Sequence, residues 1–346
     1  MRTIVPKVNW RRRKPQRIKH PDVVVVGASA GGVEAFRTLI RSLPADFPAA
    51  IFVVIHISPA SPSPLPKIFS RVTRMPVVEK VEDGTRIKPG HIYVAPPDFH
   101  LLLEPRCLHL VRGPTENRHR PAIDPLFRSA AHAYDRQVIG LLLTGNLDDG
   151  TAGLSAIKQC GGIAIVQDPN DALYPDMPRH ALENLKVDYT VPLAQMPALL
   201  VNLVNERQRR RKSHRAPPRV AIETLVDEMK KPMNQMESLG KSSDLTCPHC
   251  HGVLWGMMDG KLLRFRCRVG HAFTAENLEV AQSEQSEIAL WSALRALEEK
   301  AALLRQLAAR ARKQRHSLTA LEFEKKVCEL KPSVKTLRNM LVKSPL

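Results

Sequence analysis

Between Pro21 and Leu200, short β-branched runs alternate with amphipathic stretches. Such alternation leaves few folds open: it implies an α/β domain with a doubly wound, mostly parallel sheet covered by helices. VVVV at residues 23–26 reads as a strand buried on both faces. Residues 31–42 follow as a helix with Val33, Phe36, Leu39 and Ile40 on its apolar side, ended by Leu43-Pro44. IFVVI at 51–55 is the next strand, and HIYVAPPDFHLLL reads as short strands in a hairpin-like insert. The alternation then resumes, with helices predicted over 124–134, 151–159 and 194–204 and strands over 138–143 and 163–166. At 346 residues the chain exceeds one ordinary hydrophobic core, so a smaller second part is expected.

The first strand runs into Gly27-Ala28-Ser29-Ala30-Gly31, a sharp turn into a helix. Two chemistries need such a turn. A nucleotide-binding loop uses its glycines to bring a pyrophosphate close to the backbone, whereas a nucleophile elbow, G-x-S-x-G, exposes a serine hydroxyl. The spacing is not G-x-G-x-x-G, and no acidic residue stands where a dinucleotide-binding unit would place one. The other strand ends separate the readings further, because open parallel sheets bind ligands at the carboxyl ends of their strands. Ser29 follows the first strand, His56 follows IFVVI, and the Asp148-Asp149 pair lies in TGNLDDG just after VIGLLL. A hydroxyl, an imidazole and a carboxylate at three strand ends form a serine-hydrolase set.

These residues sit in a series of ordered motifs: GASAGG, VVIHIS, IKPGHIYVAPPDFHL, RPAIDPLFRSAA, LLLTGNLDDGTAGL, GGIAIVQDP and MPRHAL. Over about residues 22–200, within a hydrolase domain expected to span 22–205, the chain resembles the CheB-type protein-glutamate methylesterases of bacterial chemotaxis signal transduction. The resemblance implies Ser29 as nucleophile, His56 as general base and acid, and Asp149, directly before Gly150, as the orienting carboxylate. It implies backbone oxyanion donors at Ala30 and Asn146, with Arg120 and Met177 on the substrate side of the cleft. The implied substrate is a glutamate γ-methyl ester on a methylated chemoreceptor-like protein, with glutamine deamidation as a related activity and no cofactor for catalysis. The family commonly has a hydroxyl residue where this chain has Ala30, and Met-Gly where it has Asn146-Leu147. Its chemotaxis enzymes usually carry a receiver domain, which the roughly twenty residues before the first strand are too few to form, so control is expected elsewhere. A non-enzymatic regulator, binding through its remaining segments, is the rival reading.

Those segments begin with charge. The net charge of +18 is concentrated: residues 1–20 hold eight Lys and Arg and no acid, and residues 206–219 hold seven bases and one acid. Such blocks repel internally, so residues 1–21 read as a basic arm and 206–243 as a basic linker, solvated rather than bound to nucleic acid. Next, CPHC at 247–250 and CRVGH at 267–271 give two ligand pairs with sixteen residues between them. Cys247, Cys250, Cys267 and His271 form a zinc-ribbon-like set over residues 244–273, closed and therefore structural, with His249 or His251 as alternatives to His271. Residues 274–331 are expected to be helical, opened by Thr274 as N-cap. Leu290, Leu294, Leu297, Ala301, Leu304, Ala308 and Ala311 recur at spacings of four and three, a stripe for a neighbouring helix or for a regulatory protein partner. Pro332 is expected to end the structured region, leaving 332–346 as a tail. Apolar runs too short to cross a bilayer and the lack of a secretory signal point to the cytoplasm.

Overall fold

The computed structural model describes residues 22–57, 63–207, 217–227 and 240–343. The basic arm and most of the basic linker lie outside the described residues. Six strands form one parallel sheet: β1 (Val23–Ala28), β2 (Ala50–Ile55), β3 (Ile92–Val94), β6 (Val138–Leu142), β7 (Ile163–Gln167) and β8 (Tyr189–Val191). Their spatial order is β3-β2-β1-β6-β7-β8, so the chain leaves β1 in one direction and returns on its other side. A carboxyl-end crevice is expected between β1 and β6, where the order reverses.

The run of four valines is explained by burial on both faces. Val23 and Val25 meet α3 (Ile123–Tyr134) and α4 (Thr151–Gln159) in one apolar layer. Val24 and Val26 meet α1 (Gly32–Arg41), α2 (Leu65–Ser70) and α6 (Met196–Arg207) in the other. Of the stretch expected as a hairpin-like insert, residues 92–94 join the parallel sheet as β3, while β4 (His100–Glu104) pairs with the following β5 (Cys107–Val111) in an antiparallel hairpin; α5 (Asp176–Asn184) lies between β7 and β8.

Within the stretch expected as linker, Pro218–Asp227 is a helix, α7, packed on α3. Beyond it, β9 (Lys241–Thr246), β10 (Val253–Asp259), β11 (Leu262–Cys267) and β12 (Ala272–Thr274) form an antiparallel sheet in the order β12-β11-β10-β9. Thr274 caps α8 (Ala275–Lys313), its side chain accepting from the Asn277 N–H. The apolar stripe packs on α9 (Ser317–Lys343) of the same chain. Leu294, Ala301, Leu304, Ala308 and Ala311 are buried there, facing Ala320 and Val327.

Pro332 does not end the structure; it lies inside α9. A proline costs a helix one hydrogen bond and crowds the preceding turn. Here the ring is exposed, and contact with α8 continues beyond it, where Arg338 pairs with Glu298. Packing thus overrides the local preference.

Candidate active site

Ser29 sits where β1 hands over to α1, at the β1–β6 reversal. Its N–H donates to the Thr144 carbonyl (3.0 Å) and its own carbonyl accepts from Gly32 N–H (2.9 Å), which fixes the elbow to the end of β6. Gly31 takes a left-handed φ of 74°, the bend that turns the chain into the helix. Gly145 allows the other close approach: a Cβ there would lie 2.8 Å from Ser29 Cβ and 2.2 Å from Met177 Sδ.

His56 Nδ1 lies 3.1 Å from Ser29 Oγ, and His56 Nε2 lies 2.8 Å from Asp149 Oδ2. The structure therefore brings Ser29, His56 and Asp149 into one relay. With Nε2–H donating to the carboxylate, Nδ1 is left as the acceptor for the serine proton. Asp149 accepts from four donors. Oδ2 takes His56 and the Ile123 N–H (2.7 Å), and Oδ1 takes Asn117 Nδ2 (2.8 Å) and the Asp124 N–H (3.3 Å). Two of these are the first amides of α3, a helix N-terminus that favours an anion. Burial alone would push the Asp149 carboxyl up, but the hydrogen bonds from His56, Ile123 and Asn117 outweigh it and hold the group well below the usual carboxylate range.

Neighbouring carboxyls go the other way. Asp124, fully buried and beside the Asp149 charge, is raised well above its ordinary value. Asp148 is pushed up to about 7 by burial, against the opposing hydrogen bond from Thr274. The two adjacent aspartates therefore have distinct surroundings: Asp149 faces His56, whereas Asp148 Oδ1 accepts from Thr274 Oγ1 (2.8 Å) and Asn277 Nδ2.

Two site residues were not anticipated. His119 stacks on His56 with ring centroids 3.6 Å apart and planes 15° off parallel. Burial, then the nearby His56, lowers the His119 pKa to about 3, so it stays neutral while His56 carries a proton. Ala30 supplies no side-chain hydrogen bond, and the His56 ring is held by Asp149 and Ser29 at its edges and His119 on its face. Asn117 is the other. Both lie in the NRHRP stretch, whose proximity to RPAIDPLF was the available signal.

The N–H groups of Ala30 and Asn146 make no backbone hydrogen bond among the described residues. Met177 is buried, with its N–H on the Gly145 carbonyl (3.0 Å). Arg120 is engaged within its loop: Nε donates to Asp98 Oδ1 (2.8 Å) and Nη1 to the Gly113 carbonyl (2.7 Å).

A family model described as CheB methylesterase matches residues 24–200. The chain belongs to the CheB methylesterase family. A Leptospira interrogans relative is 39% identical over 183 residues, which are 53% of this chain and 94% of its own length. A Geobacter metallireducens relative, named protein-glutamate methylesterase/protein-glutamine glutaminase 1, is 38% identical over 182 residues, 51% of this chain and 50% of the relative. The chain thus spans about half the length of that second relative. Among solved structures, the Thermotoga maritima CheB methylesterase catalytic domain is 34% identical with a TM-score of 0.51, covering 53% of this chain and 98% of that one. The β9–β12 sheet and the α8–α9 pair lie outside the family match.

Away from the relay, Cys247, Cys250, Cys267 and His271 converge, their ligand atoms all within 4.8 Å of one another. Cys250 and Cys267 sulfurs are 3.5 Å apart, and His271 Nδ1 lies 3.7 Å from Cys247 and 3.5 Å from Cys267. Ligands about 2.0–2.3 Å from a tetrahedral ion stand at about this spacing, so the set can hold a metal. His249 turns instead to Thr115, with Nδ1 3.0 Å from its Oγ1.

Proposed function

We propose that the domain is a protein-glutamate methylesterase and glutaminase acting on chemoreceptor-like proteins in the cytoplasm. The hydrogen-bonded series Ser29–His56–Asp149 at the sheet reversal carries this reading. Ser29 Oγ attacks the ester carbonyl while His56 Nδ1 takes its proton. The N–H groups of Ala30 and Asn146 stabilise the oxyanion, and His56 returns the proton to departing methanol. Water, deprotonated by His56, then cleaves the acyl-serine and regenerates the glutamate carboxylate. Asp149 keeps the imidazole in its Nε2–H form and stabilises the cation. With a glutamine side chain the leaving group is ammonia. Met177 beside Ser29 and Arg120 next to His119 are assigned to the substrate-facing wall.

Cys247, Cys250, Cys267 and His271 are assigned a structural zinc ion, which takes no part in the ester chemistry. Exposed apolar residues of α8 and α9, among them Ile288, Trp291, Leu318 and Leu321, favour a regulatory protein partner there. No described helix is long and apolar enough to cross a membrane.

The test is methanol release from a methyl-esterified chemoreceptor fragment. Ser29→Ala is expected to abolish it; release that persists in the variant excludes the assignment. Metal analysis is expected to find about one zinc per chain, and a folded preparation without zinc would remove that part of the reading.

A further inference from the structure

Asn117 makes four hydrogen bonds, and they divide between two parts of the chain. Toward the hydrolase, Nδ2 donates to Asp149 Oδ1 (2.8 Å) and Asp124 Oδ2 (3.0 Å). Toward the C-terminal sheet, Oδ1 accepts from the Thr274 N–H (3.1 Å) and the Asn117 N–H donates to the Ala272 carbonyl (2.9 Å). The residue is 1% exposed, and its backbone is left-handed at φ 48°, a conformation asparagine tolerates better than most residues. Ala272 directly follows His271, one of the four clustered ligands, so the same short segment closes the metal set and grips Asn117. A second grip falls on the other side of the relay carboxylate: Asp148, one residue from Asp149, is held by Thr274 and Asn277.

We infer that Asn117 is a positioning residue for Asp149, and that the metal-binding module holds it in place, so a structural ion outside the active site governs how well the relay is aligned. This rests on the methylesterase reading for its effect on rate, though not for its geometry. An asparagine amide free to rotate would leave Asp149 Oδ1 with one weak donor, the Asp124 N–H at 3.3 Å, and let the carboxylate swing away from His56. The Thr274 N–H opposes that rotation by holding Oδ1, and the Ala272 carbonyl fixes the Asn117 backbone through its N–H. Both belong to the backbone of β12, whose path depends on the folded module. The matched Thermotoga maritima domain is covered over 98% of its length by about half of this chain, and the family match at residues 24–200 includes Asn117 but not the module that grips it.

The experiment uses the full chain with zinc bound. The imidazole Nε2–H of His56 is followed by proton NMR as the far-downfield signal of a histidine–carboxylate pair, alongside methanol release from a methyl-esterified chemoreceptor fragment. Asn117→Ala is expected to broaden or abolish that signal and to lower kcat about tenfold to a hundredfold with KM unchanged, the loss expected for one hydrogen bond to a charged group. Stripping zinc from the wild type with a chelator is expected to do the same, while stripping it from Asn117→Ala adds little, because both changes break one connection. A sharp His56 signal with full kcat in zinc-bound Asn117→Ala overturns the positioning role. Additive losses from the variant and from chelation overturn the link to the module. Should chelation unfold the whole chain, the zinc-bound variant still decides the first point, and Thr274→Pro, which fits the local φ of −74° and removes the N–H that holds Asn117 Oδ1, decides the second: an unchanged His56 signal overturns it. Ser29→Ala keeps the signal while removing hydrolysis, so a wild type that releases no methanol defeats the methylesterase reading without touching the NMR result.

Discussion

At the scale of single residues, the site depends on a carboxylate with no spare lone pair. Asp149 accepts from His56, Ile123, Asn117 and Asp124, and an amide in its place offers only one oxygen for these donors. Asp149→Asn is therefore expected to favour the wrong His56 tautomer and to lower kcat by about ten-thousandfold, by comparison with the same change in another Ser-His-Asp enzyme. Methanol-release kinetics check this, and a loss below tenfold would mean that His56 works without the pair. Gly145→Ala tests a steric requirement: its Cβ would press on Ser29 Cβ, and since Met177 alone can yield, Ser29 must shift. A fall in kcat of at least about tenfold is expected, as misplacement by an ångström can cost a hundredfold. Ser29 and His56 were legible because each directly follows a strand whose pattern is visible in the sequence, and the Asp148-Asp149 pair because it lies in the short loop from such a strand to the next helix. Asn117 and His119 were not, because they reach the site from an irregular loop in which Asn117 and Arg118 have positive φ, and no periodicity marks such a loop.

At the scale of elements, the docking of β12 and the start of α8 on the hydrolase turns on Asp148. Its pKa of about 7 lies above the unfolded value of about 4 because burial disfavours the charge. Folding thus favours the protonated form, so this stabilisation is fully present below about pH 4 and is lost as pH rises through about 7. Asp148→Asn keeps an oxygen for Thr274 and Asn277 and cannot ionise. Relative to the wild type, the variant is expected to gain stability between pH 4 and 8, by a few kcal/mol at about 1.4 kcal/mol per pH unit between the two values. Urea denaturation at several pH values measures it, and a constant difference would mean that Asp148 ionises freely in the folded protein. The sheet strands and their helices follow the sequence pattern closely, since strands buried on both faces must be almost wholly apolar. Helix α7 was hidden inside a basic stretch, and α9 past Pro332, because in both the deciding contribution is packing on a distant element.

At the scale of the molecule, charge located along the chain pointed to a basic arm and a basic linker but gave no sign of the charges inside. Arg128 from α3, Arg264 and Arg266 from β11, Glu116 from the site loop, and Glu223 and Asp227 from α7 meet in one cluster, every side chain at most 6% exposed. Three cations face these three anions, with a further carboxylate, Asp259, 3.8 Å from Arg264, and the cluster stays paired only while hydrolase, α7 and module are assembled. Burial would push the Glu116 carboxyl up, yet the three guanidinium groups hold it below the usual carboxylate range. Replacing such a cluster by apolar residues can be neutral, but removing one partner leaves a buried charge uncompensated. Arg128→Met is therefore expected to destabilise the chain by about 3–5 kcal/mol, read as a lower urea midpoint. Arg264 and Arg266 of the module then face Glu116, Glu223 and Asp227 without Arg128, and opening this contact to water relieves the uncompensated buried charge. Because Glu116 directly precedes Asn117, that opening also withdraws the Thr274 and Ala272 partners of Asn117. The midpoint for loss of bound zinc is then expected to fall below that for unfolding of the hydrolase. A variant whose midpoint moves by less than about 1 kcal/mol, the range of an exposed pair, would show that water reaches the cluster and that the module is held by its apolar contacts instead.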